Sequence, residues 1–184
     1  MPLQVLKLYS DVIIGDLYVG ALSGYARRKR IERLLSYVPD ASSVLEVGCG
    51  EGWVADYLKS RSRIEYHGLD LNAPADFVGD IRDWRQLGLE AAYYDVIVAF
   101  EVIEHVECTD ELYELLKPGG ILLLTTPVPH WDWACWILER LGINQRRGTR
   151  HKNLTYVSKI PRFQPVELFR FNVVAQWARL VKPE

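Results

Sequence analysis

Apolar and polar positions change their period several times along the chain, and each change predicts an element. Ile31, Leu34, Leu35 and Val38 recur at helical spacing, so residues 11 to 37 read as helical and Pro39-Asp40 ends them. Short β-rich runs then alternate with helical ones. Ser43 to Val47 (SVLEV) predicts a strand, Gly48 to Gly52 a loop and Trp53 to Ser60 a helix. Glu65 to Asp70 (EYHGLD) predicts a second strand, Phe77 to Asp80 a short third, and Tyr94 to Phe100 (YDVIVAF) a buried fourth. Glu104 to Leu116 is helical in pattern. Lys117-Pro118-Gly119-Gly120 reads as a turn, with Pro and Gly supplying the special backbone angles. Ile121 to Thr126 (ILLLTT) is the most apolar strand.

Alternation of strand and helix implies an α/β fold, a doubly wound parallel sheet with helices on both faces. Unbroken apolar runs such as VIVAF and ILLLTT fit strands buried on both sides. Further on, Trp133 to Leu141 predicts a helix and Arg146 to Lys152 a basic loop. Pro165 to Phe171 and Val173 to Leu180 predict two short strands, an antiparallel pair added to the mostly parallel sheet. In such sheets ligands bind beyond the carboxyl ends of the strands. The loops after Val47, Leu69, Phe100 and Thr126 are therefore expected to converge on one crevice.

Composition narrows the setting. The 184 residues fit one domain, divided into a helical segment (1–40), a core (41–127) and a lid with terminal strands (128–184). The formal net charge of -2 gives no general attraction to nucleic acid, so no DNA partner is expected and RNA is disfavoured. The arginines and lysine from Arg27 to Arg33 read as a solvated helix face rather than a phosphate-binding patch. No apolar run approaches a membrane span, and Met1 to Tyr9 does not read as a signal peptide, so the expected location is the cytoplasm. Cys49, Cys108 and Cys135 are too few and too scattered for a disulfide framework or a zinc site.

The strongest chemical signal is Glu46-Val47-Gly48-Cys49-Gly50-Glu51-Gly52. A strand ends, and glycines follow at alternate positions, so the backbone can turn sharply and approach a ligand. Cys49 reads as a small residue fitting that turn. The dehydrogenase fingerprint is GxGxxG; here the third glycine comes one residue early, which favours a nucleoside ligand other than NAD. Asp70 closes the second strand, where a carboxylate can accept bonds from both ribose hydroxyls. Asp80-Ile81 follows the third strand, where a carboxylate could accept the exocyclic amine of adenine.

VLEVGCGEG, GLDLN, VGDIRD, YDVIVAFEVIEHV and LLKPGGILLLTTP, in that order, resemble the successive motifs of class I S-adenosylmethionine-dependent methyltransferases, which have a Rossmann-like fold. The likeness is to the type 11 group, which includes ubiquinone and menaquinone biosynthesis enzymes, and it runs from about Ser43 to Pro127. It implies S-adenosylmethionine as cofactor and S-adenosylhomocysteine as product. Gly48, Gly50 and Gly52, with Cys49 in the same turn, would line the methionine part, and Glu46 would help hold its amino group. Asp70 would bind the ribose, Leu71 would pack on the adenine, and Asp80 and Ile81 would flank it. Phe100 would offer its carbonyl to the methionine end, with Glu101 beside it. No universal catalytic residue follows, because the methyl group is already activated on a sulfonium.

The acceptor is expected to be a small molecule. The NPPY-like loop of adenine or glutamine amino-methyltransferases is absent after Phe100, as is the Pro-Cys pair of cytosine C5 enzymes. Glu101, Glu104 and His105 would share one helix face, and EVIEH resembles a metal-binding stretch of small-RNA 3′-terminal ribose methyltransferases, with His151 as a counterpart for their downstream His. Pocket lining without a metal is the favoured reading. A metal-assisted RNA ribose methyltransferase and a non-catalytic cofactor-binding protein are the alternatives. His105, His130 and His151 are the candidate catalytic residues. Trp133, Trp136, Ile137 and Leu141 lie at helical spacing and read as partly core; an apolar pocket or a homodimer interface is the other reading. Arg146, Arg147, Arg150, His151 and Lys152 read as a solvated loop that could also bind an anion.

Overall fold

The computed structural model of the chain describes residues 21–61, 63–141, 151–171 and 174–184. The readings on residues 11–20 and on Arg146, Arg147 and Arg150 lie outside them. The described helices are α1 (Ala21–Arg33), α2 (Trp53–Lys59), α3 (Thr109–Leu115) and α4 (Asp132–Arg140). The strands are β1 (Ser43–Val47), β2 (Glu65–Asp70), β3 (Phe77–Val78), β4 (Tyr94–Phe100), β5 (Leu116–Pro127), β6 (Gln164–Phe171) and β7 (Ala175–Val181). They form one sheet of order β3-β2-β1-β4-β5-β7-β6. The pairs from β3 through β5 are parallel, whereas β7 runs antiparallel to both β5 and β6. This is the Rossmann-like α/β arrangement expected from the alternation.

Strand period sorts the core into two layers. Val44, Val96, Val98 and Leu123 face one side, where Leu34, Leu35, Val54 and Leu58 cover them. Leu45, Val47, Ile97, Ala99, Leu122 and Leu124 face the other, against Leu112, Leu115 and Phe163. Each central strand is thus apolar at successive positions because both of its faces are buried.

Two elements differ from their predicted form. The helix expected from Glu104 starts at Thr109. Residues beyond β4 first turn sharply, with Glu101 at φ 58°, and Asp110 and Glu111 then occupy the first helical turn, where the helix dipole favours acids. Lys117–Gly120 does not reverse the chain. It is an irregularity inside β5, since Tyr94 pairs with Leu116 and Val96 with Ile121. The glycine is still required there: a Cβ on Gly120 would lie 2.8 Å from the Lys117 carbonyl oxygen.

Candidate functional site

The carboxyl ends of β1, β2 and β4 open onto a cleft of about 590 Å³. Strand order reverses between β1 and β4, which places the cleft at the switch point of the sheet. Gly48, Asp70, Leu71, Asp80, Ile81, Glu101 and His105 all line it. Glu46, Cys49, Gly50, Gly52, Phe100, His130 and His151 are not among its lining residues.

Backbone geometry explains the glycines. Gly48 has φ 74°, and a Cβ there would come 2.8 Å from Val102 Cγ2. Its N–H donates to the Leu69 carbonyl at 2.8 Å, so the turn is tied to the end of β2. The Gly50 N–H donates to Asp70 Oδ2 at 3.0 Å, and the Asn72 N–H to Asp70 Oδ1 at 3.0 Å. Gly52, at φ 78°, caps α2. Cys49 is buried, and burial pushes its thiol up to about 11, so it is a packing residue and not a thiolate.

Glu46 is buried and accepts the Tyr66 hydroxyl at 2.5 Å. Burial pushes its carboxyl up to about 8, with the Asp70 charge adding to the rise. Leu71 is 67 % exposed on the cleft wall, an apolar surface with room for a ring to cover it. Asp80 accepts the Arg82 N–H at 2.9 Å and the Arg82 guanidinium at 2.6 and 3.0 Å. These bonds hold its carboxyl below the usual carboxylate range. An adenine amine would have to share Asp80 with Arg82.

The charged face of α1 is not uniformly solvated. The Arg30 side chain is only 14 % exposed and pairs with Glu101, while its guanidinium lies over the rings of Phe100 and Trp177. Arg27 lies over Trp53 and Arg33 over Phe169. Arginine is suited to such stacking because its planar, weakly hydrated cation lies flat on aromatic faces. Arg30 and Arg33 therefore face rings of the sheet, and Arg27 a ring of α2. The sequence carried a signal for this: Arg30 lies four residues before the fully buried Leu34, on the same helix face. Glu101 also accepts the Thr125 hydroxyl at 2.9 Å, so its left-handed backbone is held by contacts on two sides.

Glu104 is fully buried. Its Oε2 accepts the Thr126 hydroxyl at 2.9 Å, and Oε1 has no hydrogen-bond partner among the described residues. Burial, then the neighbouring Glu101 charge, pushes its carboxyl well above the ordinary range. The His105 and His151 rings meet edge to face with centroids 4.9 Å apart. His151 Nδ1 lies 2.5 Å from Asp132 Oδ1. His130 is elsewhere, with Nδ1 2.6 Å from the Tyr156 hydroxyl. Thus His105 and His151 come together and His130 does not join them. Trp133, Trp136, Ile137 and Leu141 are exposed rather than partly core. Among the described residues no helix is long and apolar enough to cross a membrane.

Comparison with known proteins fits this fold and cleft. A family model for the methyltransferase domain matches residues 21–162, and the chain belongs to that family. A probable S-adenosylmethionine-dependent methyltransferase of Mycolicibacterium smegmatis is 34% identical over 116 residues, covering 56% of this chain and 45% of that protein. A ubiquinone biosynthesis O-methyltransferase of Leptothrix cholodnii is 29% identical over 106 residues, covering 47% of this chain and 45% of that protein. The chain thus spans about half the length of these curated relatives. Among solved structures, phosphoethanolamine N-methyltransferase 2 of Haemonchus contortus shares the fold, with TM-score 0.62 and 17% identity over 85% of this chain and 53% of that one.

Proposed function

We propose that the chain transfers the methyl group of S-adenosylmethionine to a small-molecule acceptor. The observation that carries this reading is the joining of the β1 turn to the β2 carboxylate at one cleft, in a chain of the methyltransferase domain family. The residues present fit the cofactor. Gly48 leaves backbone room that a Cβ would close. Asp70 would hold the ribose hydroxyls, and Leu71 and Ile81 would face the adenine. Glu101 on the cleft wall and Arg30 paired with it supply charges of both signs for an amino acid at the far end. When bound, S-adenosylmethionine supplies a methyl group already activated on a sulfonium.

The chain's own task is to hold the acceptor in line and keep water out. An acceptor hydroxyl must also lose its proton, and His105 is the one candidate histidine lining the cleft. The names of the relatives support a small acceptor, as does the formal net charge of -2. Incubation with methyl-labelled S-adenosylmethionine and a metabolite extract tests this. Label is expected in a small-molecule fraction. Transfer only to macromolecules, or none, contradicts it.

A further inference from the structure

Helix α4 turns an apolar face outward. Trp133, Trp136, Ile137 and Leu141 recur at the helical period and are 58, 50, 40 and 66 % exposed. Cys135 on the other side is buried, with Sγ 3.9 Å from the Val174 carbonyl. In a surface helix the apolar stripe is normally the side that meets the core. The Leu141 N–H donates to the Ile137 carbonyl at 3.0 Å, so the stripe runs one residue past the helix. It also runs back along the chain. The Trp131 and Trp133 ring centroids lie 5.7 Å apart, and His130 and Tyr156 carry the line of rings on to Lys159. Three of the chain's six tryptophans thus stand at 131, 133 and 136.

Cations border this apolar surface. Arg140 is exposed with its guanidinium 4.8 Å over the Trp136 ring, and Lys159 is exposed with Nζ 5.5 Å over the Tyr156 ring. Residues 140–166 hold seven of the chain's 22 Lys and Arg and none of its 24 Asp and Glu, although the whole chain carries a formal net charge of -2. Of the seven, Arg146, Arg147 and Arg150 lie outside the described residues and count only through their charge. Tryptophan and aliphatic side chains on one face, edged by cations whose stems follow the rings, make up a helix that lies in the plane of a lipid interface. Tryptophan settles at the headgroup level, and Lys and Arg are drawn to anionic lipid. With nine residues α4 can lie on a bilayer but not cross it. A second copy fits this face less well, because a two-fold contact would bring two cationic stretches together. Nucleic acid would meet the cations and leave Ile137 and Leu141 without an apolar partner.

We propose that the exposed face of α4, with Arg140 and Lys159 at its edges, seats the protein on an anionic bilayer surface. Trp133, Trp136, Ile137 and Leu141 enter the boundary between headgroups and acyl chains, and the cations meet the lipid phosphates and carboxylates. Asp132 opens the same helix and is bonded to His151, whose ring meets that of His105 on the cleft wall. The seat therefore lies beside the cleft and holds its rim near the lipid.

Co-sedimentation of the full chain with vesicles of equal parts phosphatidylcholine and phosphatidylserine tests the seat without any turnover. Saturable binding is expected. It should be weaker on phosphatidylcholine alone, and weaker with added salt, which screens the surface charge. Trp133→Ser combined with Trp136→Ser should lower the affinity roughly tenfold or more. Arg140→Gln and Lys159→Gln should each lower it roughly fivefold. All four side chains are exposed, so S-adenosylhomocysteine affinity without vesicles should stay unchanged in every variant. Failure of the seat is therefore distinguishable from failure of the cofactor cleft. No binding to anionic vesicles by a folded parent, or undiminished binding by the double tryptophan variant, overturns the proposal. So does a dimer in analytical ultracentrifugation that the tryptophan variant dissociates, since the face then belongs to a second copy.

Discussion

The Gly50 N–H donates to Asp70 Oδ2 at 3.0 Å, so the turn closing β1 and the carboxylate closing β2 are held against each other. Both belong to parallel neighbours whose register pairs Val47 with Leu69. That register, set by two buried strands, brings an acid and a glycine turn from separate parts of the sequence to one wall.

Asp70→Ala removes a charged acceptor from the cleft. Hydrogen bonds to charged groups contribute about 1.5–3 kcal/mol each, so S-adenosylhomocysteine should bind roughly 10–100-fold more weakly by calorimetry. The melting temperature should change little, because Asp70 keeps access to solvent and water can replace it at Gly50.

Gly48→Ala combines two penalties. The φ of 74° is unfavourable for a residue with a Cβ, and that Cβ would meet Val102 Cγ2 at 2.8 Å. A loss of about 1–3 kcal/mol in urea unfolding is expected. Adding Val102→Ala should relieve the contact but leave the backbone penalty, so recovery should be partial.

Glu46 makes stability depend on pH. Its carboxyl is raised from 4.5 to about 8 in the folded chain, so the fold binds this proton more tightly than the unfolded chain does. The contribution is complete below the unfolded value and is lost as pH rises through about 8. Glu46→Gln lacks this dependence. Its stability relative to the parent should therefore rise by a few kcal/mol between about pH 5 and about pH 9, measured by urea unfolding.

Arg30→Gln should separate packing from charge. It keeps much of the aliphatic stem over Phe100 while removing the pair with Glu101. A loss of about 1.5–3 kcal/mol in unfolding is expected, with weaker S-adenosylhomocysteine binding. Unchanged values in both would show that the pair neither supports the Glu101 turn nor shapes the cleft.

The strands were legible because burial on both faces leaves an unmistakable apolar run, as in Val96–Ala99 and Leu122–Leu124. The glycine turn and Asp70 were legible because backbone geometry restricts what can stand there. Arg30 was hidden because a half-buried arginine on an aromatic face looks, in one dimension, like any surface cation. The region after Glu101 was misread as helix since its spacing fits one, while the left-handed residue that breaks the pattern bears no glycine to announce it. The meeting of His151 with Glu104 and His105 joins residues remote in sequence; no local period encodes it, and only the resemblance around EVIEH pointed to His151.

A crystal structure of the chain with S-adenosylhomocysteine is the most direct test. The ribose hydroxyls are expected on the Asp70 carboxylate, with the adenine between Leu71 and Ile81 and the amino acid beside Gly48. The ligand found away from the ends of β1 and β2, or no ligand at saturating concentration, would contradict the assignment of this cleft.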